Sequence, residues 1–195
     1  MFTYIENYSN GTLDSFSRQY PKLAEVNCFL AGGALLQIHN PRHIYSPEIR
    51  DWDIFAETKN DIKLLDTCFK KAYLFPHVQL NSINFGNISL ITRFYGKPEE
   101  ILSTFDFTVV CCAYVFKTKT LIYHQDFFRD LNNKELHLVN YDVKNLHLSK
   151  YRVQKYRKKG FRPQPILLNK EMCNYCYKRI ACLVEGKNLC QYLSD

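Results

Sequence analysis

Two aspartates lie two residues apart in the segment I-R-D-W-D-I-F, residues 49–55, among large apolar side chains. If this segment is a strand, Asp51 and Asp53 share one face while Trp52 and Ile54 point into the core, because side chains alternate along a strand. Carboxylates on a rigid element are suitable ligands for Mg²⁺ or Mn²⁺, usually together with substrate phosphates. The pair therefore predicts a metal site at Asp51 and Asp53, with a solvated polar strand face as the alternative.

A glycine pair precedes the aspartates in V-N-C-F-L-A-G-G-A-L-L-Q, residues 26–37. The pattern predicts a buried strand, a tight turn and a helix. Gly32 and Gly33 permit close approach of the backbone, and the N-terminus of the next helix offers N–H groups and a positive dipole end. Alone the glycines indicate a tight turn, but beside a two-carboxylate strand they predict a phosphate site.

The elements that must hold these residues form an α/β or α+β pattern, with a small mixed sheet flanked by helices. We predict helices over residues 12–20, 34–40, 58–72, 97–104, 148–160 and 168–184. We predict strands over residues 26–31, 49–55, 78–85, 87–94, 105–116 and 135–139. Residues 1–165 are expected to form one domain, with 166–195 as a C-terminal helical segment packed on it.

Composition limits the class of protein. The 195 residues are 46% apolar and 23% charged, which is typical of a globular chain, and the net charge is +7. No apolar run is long enough to predict a membrane span, and the N-terminus lacks the features of a signal peptide. We therefore expect a cytoplasmic protein without a membrane partner, whose eight cysteines are mostly free thiols.

Four motifs, in order, resemble the DNA polymerase β-type nucleotidyltransferase superfamily. They are most similar to the head domain of tRNA CCA-adding enzymes and bacterial poly(A) polymerases. The motifs are L-A-G-G-A-L-L with R-D-W-D-I-F, then F-D-F-T-V-V-C-C-A-Y, F-F-R-D-L-N-N-K-E-L-H-L-V-N and S-K-Y-R-V-Q-K-Y-R-K-K-G-F. The resemblance implies a nucleotidyltransferase fold and transfer of a nucleoside monophosphate from ATP or CTP to an RNA 3′ end, with tRNA as the default acceptor.

Asp106 lies in the apolar run 105–116 and has three interpretations. The resemblance implies either a third catalytic, metal-supporting carboxylate or a contact to the incoming nucleotide. A helix cap before T-V-V-C-C-A-Y is the third possibility. Elsewhere, Ser89 or Thr92 stands where the family strand often supplies a carboxylate.

The sequence departs from the family pattern in two further places. The two arginines that the family has before the aspartate are missing, since Ser103, Thr104 and Phe105 precede Asp106, and no E-D-x-x-R motif follows at a suitable distance. Two alternatives therefore remain open. One is a catalytically inactive RNA-binding module with the same fold, and the other is a nucleotidyltransferase that modifies protein by an AMPylation-type reaction.

The segment 150–162 carries seven lysines and arginines with aromatic residues between them. Basic side chains neutralise phosphates and aromatic rings stack on bases, although a solvated basic helix face is the simpler interpretation. We expect Arg152 and Lys155 to contact the nucleotide. Residues expected to contact RNA are Arg157, Lys158 and Lys159.

The C-terminal segment contains cysteines in a C-x-x-C arrangement, which is a spacing found in zinc sites. The same cysteines also follow the spacing of one apolar helix face, where cysteine commonly packs as a small hydrophobic residue. Zinc is the less favoured interpretation for Cys173, Cys176, Cys182 and Cys190, because Cys173 and Cys176 share an apolar helix face with Ile180 and Val184.

Overall fold

A computed structural model of the protein describes residues 1–40, 51–72, 75–139 and 152–164. Its strands, in chain order, are β1 (Phe2–Ile5), β2 (Cys28–Ala31), β3 (Trp52–Ala56), β4 (His77–Val78), β5 (Ser82–Phe85), β6 (Ile88–Ile91), β7 (Cys112–Val115), β8 (Thr120–His124), β9 (Glu135–Leu136) and β10 (Arg162–Pro163). The first eight form one sheet in the order β1-β8-β7-β2-β3-β6-β5-β4. Within it, β3 and β6 pair in parallel and the other neighbours pair antiparallel.

Helices flank this sheet. They are α1 (Gly11–Gln19), α2 (Gly33–His39), α3 (Lys59–Ala72), α4 (Pro98–Leu102), α5 (Phe127–Asn133) and α6, which comprises residues 152–158. Short 3₁₀ turns occur at Pro21–Ala24 and Thr108–Val110. Strands β9 and β10 form a separate parallel pair. The predicted α+β class with a mixed sheet is confirmed.

The sheet is larger than predicted. Strand β1 extends it by pairing with β8, so that Phe2 lies opposite His124. The sequence gives little warning of β1, because most of its residues are exposed at the sheet edge and no apolar alternation marks it. Several strands contain only two to four residues, which are too short for periodicity to define.

The prediction of one continuous strand over residues 105–116 is wrong. Residues Thr108–Val110 form a 3₁₀ turn, and β7 begins only at Cys112. The turn is fully buried, with the Thr108 backbone N–H donating to the carbonyl of His137 at 3.0 Å. Burial alone favours β-branched and aromatic residues, so their presence here did not require a strand.

Strand β3 is held at the centre of the sheet. It pairs antiparallel with β2, where Leu30 lies opposite Ile54, and parallel with β6 on its other side. Trp52 is 6% exposed and stacks on Phe16 of α1, with ring centroids 3.9 Å apart and planes inclined by 8°. A strand paired on both edges and packed by a large aromatic ring provides a rigid base for the side chains near its start.

Helix α6 is anchored to the rest of the molecule by three buried apolar side chains, those of Val153, Tyr156 and Phe161. After the helix, β10 pairs with β9 in a register that places Arg162 beside Glu135. Helix α6 covers residues 152–158 of the predicted helix 148–160, whose first residues lie outside the described ranges. The anchors fix which face of α6 points toward the sheet.

Several predictions fall on residues that the structure does not describe. These include the segment 166–195, the helix 168–184 and the four C-terminal cysteines. In the described ranges, Cys28, Cys68, Cys111 and Cys112 are free thiols, in agreement with expectation. No helix in those ranges has both the length and the apolarity that crossing a membrane requires.

A buried polar network ties the 3₁₀ turn to α5. The Thr108 hydroxyl donates to Oδ2 of Asp130 at 2.6 Å, and the Arg129 Nε donates to Oδ1 at 2.9 Å. Asp130 is fully buried, so its charge depends on these donors for stabilisation. The network fixes the chain immediately after Asp106.

We predict that Thr108→Val lowers the free energy of unfolding by about 1–3 kcal/mol, because it removes a donor from a buried carboxylate. Urea denaturation measures this change. Thr118→Val is the matched control, since Thr118 is exposed, and it should alter stability by less than about 0.5 kcal/mol. Equal stability of the two variants would contradict the assigned role of the network.

Candidate functional site

A cleft of about 480 Å³ lies where the start of β3, the N-terminal part of α2 and one face of α6 come together. It brings both predicted metal ligands, one predicted phosphate-site glycine and both predicted nucleotide-contacting cations into one place. Its lining residues are Gly33, Ala34, Leu36, Gln37, Asp51, Asp53, Arg152, Lys155, Tyr156 and Lys159.

The two aspartates form the acidic wall of the cleft. Asp51 is exposed immediately before β3, whereas Asp53 lies within the strand and is partly buried. The pKa of Asp53 is raised to about 6, first by burial and then by the negative charge of Asp51. The alternation predicted from sequence holds, since Trp52 packs on the opposite side against Phe16. The site therefore holds two carboxylates whose mutual repulsion a cation would relieve.

Helix α6 forms the basic wall. Arg152, Lys155, Tyr156 and Lys159 follow an i, i+3, i+4, i+7 spacing, which places them on one helix face. The charges of Lys155 and Arg152 act on Asp53 and lower its pKa against the two raising effects. Positive and negative walls are thus close enough to influence each other.

Lys159 is placed differently from its two basic neighbours. It lines the cleft, where burial and the charge of Lys155 lower its pKa, while Arg157 and Lys158 are exposed and do not line it. All three are predicted from the sequence to contact RNA. The i+7 spacing from Arg152 was the signal that could have separated Lys159 from the others.

The two glycines differ in their structural roles: the backbone conformation favours glycine at position 32, whereas Gly33 leaves open space. Gly32 has φ +83° and ψ −129°, a conformation that side chains disfavour, and its N–H donates to the carbonyl of Cys112 at 3.2 Å. A Cβ atom at Gly33 would meet no atom within 4 Å. Packing therefore does not require glycine at position 33, and the missing side chain leaves the cleft open beside the backbone.

Asp106 is buried next to the cleft and is not among the residues that line it. Its Oδ1 accepts a hydrogen bond from Nη1 of Arg152 at 2.8 Å. The residue at the N-cap position of the following 3₁₀ turn is Phe107, with no side-chain capping bond. The geometry thus connects Asp106 with the basic wall through Arg152.

Ser89 is the neighbour of Asp53 in the sheet, because β3 and β6 pair in parallel with these two residues in register. Ser89 lies on β6, the strand where the family resemblance predicts another carboxylate. Within the residues that line the cleft, the acidic groups are Asp51 and Asp53. Any divalent ion here would therefore draw its protein ligands chiefly from these two side chains.

A second group of potential metal ligands consists of Asp130, Glu135 and His137, whose ligand atoms lie within 4.8 Å of one another. Both oxygens of Asp130 already accept hydrogen bonds, from Thr108 and Arg129. The Nδ1 atom of His137 lies 3.1 Å from Asp130 Oδ2. The two hydrogen bonds give Asp130 a structural role, and none of the three residues lines the cleft.

Another open cleft, of about 470 Å³, lies on the side of Trp52 and α1. Its lining contains no carboxylate, lysine or arginine, and consists of Gly11, Thr12, Ser15, Phe16, Gln19, Tyr20, Trp52 and Asn87. Acid–base and metal chemistry therefore favour the cleft that contains Asp51 and Asp53.

We predict that Asp53→Asn stabilises the metal-free protein by about 2 kcal/mol at pH 8, because it removes a partly buried charge from beside Asp51. Since the folded-state pKa is raised, the stability linked to Asp53 is full below about pH 4 and is lost as the pH rises through about 6. The advantage of the variant should therefore shrink below pH 6. Urea denaturation in EDTA between pH 4 and 8 measures it.

Asp66→Asn is the control for this experiment, because Asp66 forms an ion pair with Lys70 on α3. Its effect should stay within about 0.5 kcal/mol across the range. A destabilising effect of Asp53→Asn at pH 8 would contradict the prediction.

Comparisons with known proteins identify both the fold and the family. The chain has a TM-score of 0.61 with a CCA-adding enzyme in complex with CTP, at 15% identity, over 90% of this chain and 48% of that one. For the Thermotoga maritima CCA-adding enzyme complexed with tRNA the score is 0.58 at 13% identity, over 90% of this chain and 46% of that one. These likenesses establish the predicted nucleotidyltransferase fold.

Sequence comparison places the chain in a narrower group. It is 32% identical over 152 residues to Gabija anti-defense 2 of Bacillus phage SPbetaL7, covering 71% of this chain and 35% of the phage protein. The chain thus spans about a third of the length of this curated relative. A family model described as "Gabija anti-defense 2 family protein" matches residues 3–134. The chain therefore belongs to the Gabija anti-defense 2 family.

Proposed function

We propose that the protein is a metal-dependent nucleotidyltransferase that transfers a nucleoside monophosphate from an NTP to an acceptor hydroxyl and releases pyrophosphate. The observation that carries the proposal is the cleft itself. A carboxylate pair at the start of β3 lines the same cleft as three cations on and just after α6, beside the open backbone of Gly33, within a nucleotidyltransferase fold.

The donor set of the cleft fits Mg²⁺ or Mn²⁺. Asp51 and Asp53 offer the hard oxygen ligands that these ions prefer, and the raised pKa of Asp53 marks a carboxylate pair in need of positive charge. A bound divalent ion would supply charge neutralisation and lower the pKa of an attacking hydroxyl. Two carboxylates with space for substrate oxygens form the usual arrangement for ions that retain phosphate ligands.

The remaining walls are suited to the triphosphate of ATP or CTP. Lys155 on α6 and Lys159 just after the helix are point charges that line the cleft, and Arg152 adds a planar donor group. Gly33 leaves space for phosphate oxygens near the backbone at the start of α2, and Gly32 supplies the positive-φ turn just before it. In this arrangement the acceptor oxygen attacks the α-phosphorus, and the bond to the departing pyrophosphate breaks.

An RNA 3′ end is the acceptor that we favour, with tRNA as one form of it. Arg157 and Lys158 lie on α6 immediately beside the cleft-lining residues and expose their charges to solvent. That position allows them to bind the phosphates of a strand whose end enters the cleft. The structural similarity to a CCA-adding enzyme complexed with tRNA supports the same class of acceptor by analogy.

A protein acceptor is the second candidate, and the family name favours it. A family described as anti-defence against Gabija must act on some component or product of that defence. Nucleotide transfer to a protein hydroxyl would use the same cleft and the same leaving group. The phosphoryl chemistry is common to both candidates, and the difference lies in which hydroxyl approaches Asp51 and Asp53.

We expect Asp51→Asn and Asp53→Asn each to lower nucleotide incorporation by about a hundredfold or more, because each removes a metal-binding oxygen. The assay incubates the protein with each labelled NTP, Mg²⁺, total RNA and extract of cells that carry the Gabija defence. Label on RNA supports the first acceptor, and label on protein supports the second. Asp66→Asn should retain full incorporation.

Absence of label with Mg²⁺ and with Mn²⁺ would instead favour an RNA-binding module that kept the fold without catalysis. Full activity of the Asp51→Asn and Asp53→Asn variants would show that the carboxylates are not the metal ligands. The first result would argue against catalysis by the wild-type protein. The second would leave catalysis intact and reject only the assignment of Asp51 and Asp53 as the metal site.

For RNA binding, we predict that Arg157→Gln and Lys158→Gln each reduce the slope of log K against log salt by about 1, because each removes one phosphate contact. Filter binding of a tRNA at several salt concentrations measures the slope. Lys70→Gln is the control, since Lys70 is an exposed cation on α3. Equal slopes for all variants would exclude a role of α6 in binding RNA phosphates.

A further inference from the structure

The guanidinium of Arg152 is held in place although the side chain is 42% exposed. Nη1 donates to Oδ1 of Asp106 at 2.8 Å, and Nη2 donates to the phenol oxygen of Tyr156 at 3.1 Å. An exposed arginine ordinarily samples many rotamers, and ordering it on ligand binding has an entropic cost. Two directed hydrogen bonds remove much of that cost in advance.

Aromatic rings support the same guanidinium. Its central carbon lies 5.9 Å from the ring centroid of Phe107 and 5.7 Å from that of Tyr156. The two rings meet edge to face at 5.3 Å, and both are almost fully buried. The cation therefore rests on a rigid surface that stabilises it by cation–π attraction.

Asp106 is itself fixed by the backbone around it. Its carbonyl accepts a hydrogen bond from the N–H of Val139 at 2.9 Å, and the next residue, Phe107, forms an antiparallel bridge with Leu138. Its side chain is 8% exposed, contacts the cleft-lining residue Arg152 and does not itself line the cleft. A buried carboxylate that faces a guanidinium is suited to holding that guanidinium in place.

Arg152 keeps hydrogen-bonding capacity on the cleft side. A guanidinium has five N–H donors, and the described part of the chain engages two of them, with Asp106 and Tyr156. The exposed remainder lies on a cleft wall that also carries Lys155 and Lys159. Planar, bidentate donation is the geometry that best matches phosphate oxygens.

We propose that Asp106 is a positioning residue that, together with Tyr156, holds Arg152 ready to bind phosphate oxygens of the NTP in the cleft. This inference rests on the proposed function and specifies how the basic wall recognises its substrate. It replaces the two earlier roles for Asp106, a third metal ligand and a direct nucleotide contact, with an action through Arg152.

The test compares binding of ATP and CTP, measured by calorimetry with Mg²⁺, in the full chain and its variants. Asp106→Asn should weaken NTP binding about tenfold, because the guanidinium loses its charged partner. Arg152→Lys should weaken it to a similar extent. The double variant should bind no more weakly than the weaker-binding single variant, since both substitutions disrupt the same contact between Asp106 and Arg152. In turnover, Asp106→Asn should raise KM for the NTP more than it lowers kcat.

A separate measurement distinguishes positioning from metal binding. Mn²⁺ titration of the nucleotide-free protein, followed by electron paramagnetic resonance, should give the same affinity for wild type and Asp106→Asn. Asp53→Asn should weaken Mn²⁺ binding. A loss of Mn²⁺ affinity in Asp106→Asn would make Asp106 a metal ligand and overturn the inference.

Tyr156→Phe provides a second test in case Asp106→Asn fails to fold. It removes only the phenol oxygen and keeps the buried ring, so the variant should fold normally. It should weaken NTP binding about threefold, as expected for one lost hydrogen bond. Arg93→Lys and Asp66→Asn are matched controls for the chemical changes, since both positions lie outside the cleft lining, and both should bind NTP normally.

Two binding results overturn the inference in different ways. Normal NTP affinity in Asp106→Asn and Tyr156→Phe, with normal wild-type binding, would end the positioning role and leave the proposed function intact. Absence of ATP and CTP binding by the wild-type protein would end both.

Discussion

The feature on which the site depends is the placement of two carboxylates at the start of β3, one of them partly buried. The pKa of Asp53 is raised to about 6, first by burial and then by the negative charge of Asp51. Strand β3 holds Asp53 in this position, because the strand is paired on both edges and packed by Trp52 against Phe16. The fold therefore maintains a local charge imbalance, which is the property expected of a site that binds cations.

The opposing positive charge comes from a distant part of the sequence. Helix α6 follows β3 by about a hundred residues, yet its cleft face lies opposite the aspartates. Buried anchors at Val153, Tyr156 and Phe161 determine this orientation. The sequence suggested that aromatic residues between the cations stack on bases. Tyr156 and Phe161 are instead buried and pack in the core. One helix consequently presents cations to the cleft on one face and to solvent on another.

Sequence patterns predicted the parts of the fold that have a clear local signal. The glycine turn, helix α3 and the alternation around Asp51 and Asp53 depend on periodicity and backbone preference over a few residues. The 3₁₀ turn at Thr108–Val110 was missed because its burial arises from long-range contacts with Asp130 and His137. Strand β1 was missed because its partner, β8, lies more than a hundred residues away.

The candidate site shows the same division between local and distant signals. The metal site proposed at Asp51 and Asp53 was suggested by two residues and a spacing of two. The pairing of Asp106 with Arg152 joins positions 46 residues apart, so no local pattern contains it. Lys159 is intermediate between these two cases. Its spacing of seven residues from Arg152 indicates that both lie on the same helix face, so its place in the cleft could have been predicted.

The strand order has a consequence for how the chain folds as it is made. Among the described residues, strand β1 pairs with β8, so Phe2 and His124 cannot meet until the chain between them has been synthesised. The local hairpin of β5 and β6 can form early, whereas β2 must also wait for β7. Helix α6 docks after all of these strands are available. We therefore expect the two walls of the cleft to meet only near the end of folding, with the aspartates already in place before their cations arrive.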